Sequence, residues 1–356
     1  MITTSSPIAR VANHVGALAF ALALSAPAFA DTGNYEVTNL VADVPGVAAN
    51  TDPNLLNGWG VAMLATSPIW VSGNGAGAST IYNGLGAALP FSPVIIPTRE
   101  GTGRGVPTGI VANPSANDFL LNGAQARFLW ATEDGAIAAW NGGPTATIMF
   151  AAPGDAVYKG LALAGNGTSF RLYAADFHNG KIDVLDKAFV PTTVPGGFED
   201  PSLPAGFKPF NIMNLQGNLY VAYAQREKDG DDEVAGQGLG FVDVFDADGF
   251  LIARVASRGR LNAPWGMAIA PAGFGKFSNH LLVGNFGDGR INAYDVKNFT
   301  FAGQLHTSNG RPLVIDGLWG IAFGNGFQSQ PTDTLFFAAG PGDEQHGLYG
   351  KIEPAP

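Results

Sequence analysis

Nine polar residues with chemical potential stand at matching points of the chain. Asn57, Asn74, Glu133, Lys159, Asp176, Asn211, Asn262, Asn285 and Asp316 each lie where a short apolar run opens or closes. Glu133, Asp176, Asn211 and Asn285 offer hard oxygen donors of the kind that hold Ca²⁺ or Mg²⁺. An ion held there would polarise a carbonyl and activate water, the chemistry of a metal-dependent hydrolase. His178, two residues after Asp176, is the best-placed general base because imidazole titrates near working pH. Lys159, Asp176 and His178 are therefore the expected catalytic group, with Lys159 reaching channel water or pairing with an acid such as Asp176. The competing reading gives the Asn and Asp residues ordinary work as strand caps and Asx-turns, Lys159 a structural ion pair and His178 a solvated turn.

One dense charge cluster, Lys228, Asp229, Asp231, Asp232 and Glu233, lies in the stretch 226–240. It reads as a lid, a Ca²⁺ loop or a solvated acidic loop. The alternating D-x-D-x-D-G order and trailing Glu of a true Ca²⁺ loop are missing. There is no G-x-S-x-G elbow, no H-E-x-x-H and no P-loop. Zero Cys excludes disulfides, thiolate metal sites and a Cys nucleophile.

The elements that must position these residues are repeats. A dipeptide ending in Gly or Asn leads a short apolar strand, then a second strand ending in a polar residue, a Gly turn and a third strand. The unit recurs six times, clearest where Trp265, Gly266, Met267, Ala268 precede 281–285, Asp288, Gly289 and 290–294. The markers at 60, 109, 160, 211, 266 and 320 are spaced by 49, 51, 51, 55 and 54 residues. That period, with three or four strands per unit, is the pattern of a propeller blade, which buries its faces only against neighbouring blades. The expected fold is all-β, a six-bladed β-propeller. The alternating segment Tyr35, Val37, Leu40, Val41 is left over, and we expect it to close the ring by joining the sixth blade. In this connectivity the polar residues named above gather at one mouth of the central channel, within reach of His346. Trp59, Trp265 and Trp319, each before a marker Gly, read as packing between blades in preference to a ligand platform.

Of 356 residues, 49 are Gly and 24 Pro, 46% are hydrophobic and 13% charged, which fits a turn-rich β globule and excludes a disordered chain or a helical bundle. Residues 1–30 contain no acid and a single Arg, Arg10. The apolar run 15–24 and then Ala28, Phe29, Ala30 follow, the pattern of a cleaved secretion signal. No other stretch could span a membrane. The expected domains are thus a signal peptide, 1–30, and one propeller, 31–356, in a monomer exported to the periplasm or beyond. Loss of Arg10 takes the formal net charge from −10 to −11, a surface that repels nucleic acid and anionic lipid.

The blades resemble NHL and lactonase-like six-bladed propellers. More specifically, the whole mature chain resembles a family of exported bacterial proteins without an assigned reaction. The matching stretches include Thr51, Asp52, Pro53; Asn57, Trp59, Gly60; 176–183; Asn262, Ala263, Pro264, Trp265, Gly266; 284–292 and 315–320. The resemblance implies the fold and export. Gluconolactonase-like propellers place a Glu, Asn and Asp set around a divalent ion, an arrangement similar to the one proposed above. The leading functional expectation is a binding or interaction module whose ligand, a small molecule or an envelope or extracellular protein, sits at the channel mouth. The alternatives are a divalent-metal-dependent lactonase or esterase-like hydrolase, and a structural envelope or matrix protein.

Overall fold

The computed structural model describes residues 1–3 and 33–355, so the expected signal peptide lies almost wholly outside the described residues. From residue 33 onward, regular structure is β-strand apart from one short 3₁₀ turn at Gly275–Phe277. Six sheets of four or five strands, antiparallel apart from the pairing of Val41 and Ala42 with Asn50 and Thr51, form the blades, and a small two-stranded hairpin at 120–125 is added to them. Their first strands are Gly58–Ala62, Pro107–Ala112, Tyr158–Gly165, Phe207–Leu215, Pro264–Ile269 and Leu318–Phe323. Each first strand touches that of the next sheet, and the last touches the first, so the six line a closed ring. The fold is the expected six-bladed propeller.

Closure uses the leftover N-terminal segment. Tyr35–Ala42 pairs antiparallel with Leu348–Pro354, from Tyr35 opposite Pro354 to Ala42 opposite Leu348. The Tyr35 hydroxyl also donates to the Phe274 carbonyl in blade 5 at 2.9 Å, tying the seam to a second blade. Outer strands such as Thr147–Ala151 and Leu251–Ser257 are only partly buried and stand outside the repeated three-strand pattern.

The marker residue owes its identity to close approach around the ring. A Cβ on Gly60 would lie 2.6 Å from the Thr108 carbonyl, on Gly109 2.5 Å from the Leu161 nitrogen, on Gly266 2.4 Å from the Trp319 carbonyl and on Gly320 2.5 Å from the Trp59 carbonyl. Any side chain there would push neighbouring blades apart. Blade 4 is the exception. Its marker is Asn211, whose side chain spans to the Trp265 carbonyl of blade 5 at 2.7 Å, while Gly160 of blade 3 makes room for it. The inner strands shift register at or beside the marker, and such bulges re-aim the flanking side chains toward the mouth. Asn211→Ala removes two buried bonds, to the Trp265 carbonyl and from the Ile212 amide, so it should cost about 1–3 kcal/mol in urea unfolding. A loss within error would show that the bond does not couple blades 4 and 5.

Seven hydrophobic clusters fill the seams between blades and the channel. The channel cluster joins Trp59, Phe177, Phe210, Trp265 and Trp319 from five blades. Trp59 stacks on Trp319 at 3.6 Å between ring centroids, and Trp265 meets both edge-on. All three indoles are buried. They pack, as expected, but across the channel as a plug.

Candidate functional site

Above that plug stands Lys159, which opens the inner strand of blade 3 and is 2% exposed. Its ammonium lies 3.2 Å from Glu133 Oε1, 3.4 Å from Asp232 Oδ1 and 3.8 Å from Glu233 Oε2. Beneath it are the faces of Trp59, Phe177 and Phe210, with centroids 5.4, 5.7 and 6.0 Å away. Burial by itself would push the ammonium's pKa down, but Glu133, Glu233 and Asp232 outweigh it and hold the pKa above its ordinary value. Lys159 is therefore a fixed cation and a poor nucleophile.

A chain of amides leads from it across the mouth. Asn74 Nδ2 donates to Glu133 Oε2 at 2.8 Å, and Asn57 Nδ2 donates to Asn74 Oδ1 at 3.4 Å. Asn57, Asn74, Glu133 and Lys159 thus come together as the sequence predicts. On the far side of Asn57 is Glu344, in a turn where Asp343 and Glu344 both take left-handed backbone angles. Burial, followed by the charge of Glu233, pushes the Glu344 carboxyl up to about 7 against the opposing pull of Lys159. Its Oε1 and the Oδ1 of Asn57 are both sealed, with no hydrogen-bond partner among the described residues.

The acidic insertion forms the roof. Asp232 and Glu233 reach Lys159, and Asp231 Oδ1 receives His178 Nδ1 at 2.6 Å and Arg226 Nη1 at 3.2 Å. The segment thus lies beside Lys159 at the channel mouth. Asp231, Asp232 and Glu233 are engaged by the protein's own cations, and burial raises the pKa of Glu233.

The remaining expected site residues have other partners. Asp176 is fully buried and accepts from the Asn179 amide, from Asn179 Nδ2 at 2.8 Å and from the Val157 amide. It is 3.8 Å from Lys181, and Lys159 pairs with Glu133, Asp232 and Glu233 in its place. Strand geometry explains this: Asp176 ends its strand at the hairpin and turns its carboxylate back onto that turn. Asn285 donates to the Arg260 carbonyl and to Asp288. Asn262 accepts from the Gly236 amide, and Asp316 from the Gly342 amide. His346 bonds Asp43 at 2.9 Å on the rim. Asp176 is committed to its turn, Asn211 to the Trp265 carbonyl and the Asn285 amide nitrogen to Arg260 and Asp288, so among these four only Glu133 pairs with Lys159. Among the described residues, no three His, Cys, Asp or Glu side chains are grouped to hold a metal ion. The four residues as they stand do not fit a divalent ion, and the position between carboxylates is taken by the Lys159 ammonium.

Sequence reasoning missed Asp232, Glu233 and Glu344 as members of the site. The first two were visible as charge density but separated from Lys159 by about seventy residues. Glu344 was visible only as a neighbour of His346.

The fold and this mouth define a six-bladed β-propeller with a lysine-centred, acid-lined channel entrance. No protein-family model matches the chain. It belongs to a family that includes two uncharacterized proteins of Acanthamoeba polyphaga mimivirus. One is 33% identical over 334 residues, covering 89% of this chain and 80% of that protein; the other is 32% identical over 337 residues, covering 89% and 85%. Among solved structures it is similar to the soluble aldose sugar dehydrogenase of Escherichia coli in its apo-form, with TM-score 0.54, 15% identity, and 90% of this chain and 100% of that one covered. It is also similar to a streptogramin B lyase, with TM-score 0.52, 14% identity, and 90% and 97% covered. Likeness at that identity speaks to the fold alone. Among the described residues, no helix is long and apolar enough to cross a membrane.

Proposed function

We propose that the protein is an exported binding propeller whose channel mouth takes a small ligand bearing an ammonium or guanidinium group. The observation that carries this reading is the excess of acid around Lys159. Glu133, Asp232, Glu233 and Glu344 surround one ammonium, and the Glu133 and Asp232 side chains keep 26% and 79% of their surface open to solvent. An incoming cation relieves that crowding, and the partly open carboxylates of Glu133 and Asp232 offer it charge-assisted hydrogen bonds. Export is supported by the composition of residues 1–30, with removal of that segment before Asp31. A second reading, the divalent-ion-dependent hydrolase with Ca²⁺ or Mg²⁺, draws on the sealed and unpartnered Oδ1 of Asn285. It requires Asp176 to surrender its turn bonds.

One calorimetric titration separates the two, with putrescine, 1,4-butanediol and Ca²⁺ as probes. The binding reading expects one putrescine per chain, weakened at least tenfold by Glu133→Gln, and no heat from butanediol. Tight Ca²⁺ uptake lost in Asp176→Asn would favour the hydrolase. Binding of neither cation overturns both.

A further inference from the structure

We infer that a second site, on the outer rim between blades 4 and 5, binds a small organic anion with an apolar body. A cavity of about 360 Å³ opens there, lined by Ser257, Arg258, Arg260, Tyr294, Phe299 and Phe301. Its volume suits a ligand of one or two fused rings.

The charge in this cavity is unbalanced. Arg171, Arg226, Arg254 and Arg290 each stand within 4.0 Å of a carboxylate, and Arg99 and Arg104 bond backbone carbonyls. Among the described residues, Arg258 and Arg260 have no such partner and no side-chain hydrogen bond. They lie instead against rings: the Arg258 guanidinium is 5.4 Å from the Phe241 centroid and 5.7 Å from that of Phe207, and the Arg260 guanidinium is 5.9 Å from that of Phe301. Arg258 and Arg260 stand two residues apart on one turn and both line the cavity, which leaves it with uncompensated positive charge in a chain of formal net charge −10. Contact with the rings occupies none of the N–H groups, so each planar fork can still receive a carboxylate.

The backbone that presents them is held in place. Arg258 and Gly259 both take left-handed angles, making a tight turn closed by the Leu261 amide on the Arg258 carbonyl. The Arg258 amide donates to the Gly240 carbonyl, and the Arg260 carbonyl accepts from Asn285 at 2.8 Å and Asn292 at 3.3 Å. The turn that carries both side chains is therefore fixed, and only the exposed side chains have to be ordered on binding. Phe301, 46% exposed, and Phe299 give the apolar wall against which a ring would lie.

The test uses the full chain and sodium 1-naphthoate, titrated calorimetrically beside naphthalene-1-carboxamide and inorganic phosphate. The proposal expects one naphthoate per chain, at least tenfold weaker binding of the neutral amide, and at least tenfold loss in Arg258→Gln and in Arg260→Gln. Arg260→Lys retains the charge and loses the planar fork, so it should fall between wild type and Arg260→Gln. Saturating putrescine and Glu133→Gln should leave naphthoate binding unchanged, which separates this site from the channel mouth. Equal binding of the amide, unchanged affinity in both Gln variants whose melting curves match wild type, or displacement of naphthoate by phosphate at equal concentration would each overturn it.

Discussion

Replacing Lys159 with Met should destabilise the propeller by about 3–5 kcal/mol at pH 8, the cost of removing one partner from a buried ionic cluster. Met nearly matches the lysine stem in volume, so packing over Trp59, Phe177 and Phe210 is kept and the loss reports charge. What remains is Glu133, Asp232, Glu233 and Glu344 facing one another without their cation. The deficit should shrink as pH falls. Burial and mutual repulsion already raise Glu233 and Glu344 above their ordinary values, and losing Lys159 raises them further. Between the unfolded and folded values the folded variant binds more protons than the unfolded chain, so its stability falls as pH rises across that window and recovers fully only below the unfolded values. Denaturant unfolding of wild type and variant at pH 5 and pH 8 measures both effects. Adding Glu233→Leu to Lys159→Met should recover part of the loss, because the double variant removes an acid that the single one leaves stranded. A deficit below about 1 kcal/mol, or one independent of pH, would show that the cluster is solvated well enough to need no counter-ion.

The same cluster marks the limit of what the chain reveals before folding. Blade number and ring closure were legible because they rest on a repeated period and on glycines that close approach demands; the Cβ distances at Gly60, Gly109, Gly266 and Gly320 give the physical cause of the marker. Asn57, Asn74, Glu133 and Lys159 were legible as a group because equivalent blade positions converge at one mouth. Asp176 occupies such a position too, yet its carboxylate turns onto its own hairpin, a choice made by local hydrogen bonds that the period does not encode. Asp232 and Glu233 sit in an insertion outside the period. Only the path of that loop, held by Asp231 to His178 and Arg226, brings them over Lys159.

Glu344 ties stability to the proposed binding, and Glu344→Gln should separate them. Its carboxyl is raised from 4.5 to about 7, first by burial and then by Glu233. An acid so raised holds its proton more tightly folded than unfolded. Below about 4.5 it is neutral in both states and costs nothing; between 4.5 and 7 the unfolded chain ionises first and stability falls; above 7 the full penalty is present. A tenfold difference in proton affinity between the folded and unfolded chain is worth about 1.4 kcal/mol, and discounting for the part of the side chain that meets solvent leaves about 2 kcal/mol in all. Glu344→Gln, which stays neutral, should therefore stabilise the protein by about 2 kcal/mol at pH 8 and leave it unchanged at about pH 4.5. Binding should move the other way. In wild type, putrescine affinity should rise with pH through the ionisation of Glu344, and the variant should lose that rise while keeping its low-pH affinity. A variant that is stabilised at pH 8 and binds putrescine as tightly as wild type would leave Glu344 a structural strain with no ligand to relieve it. A variant without extra stability would mean that Asn57 and Lys159 already neutralise the carboxylate, and the acid-rich mouth would lose its main reason to draw in a cation.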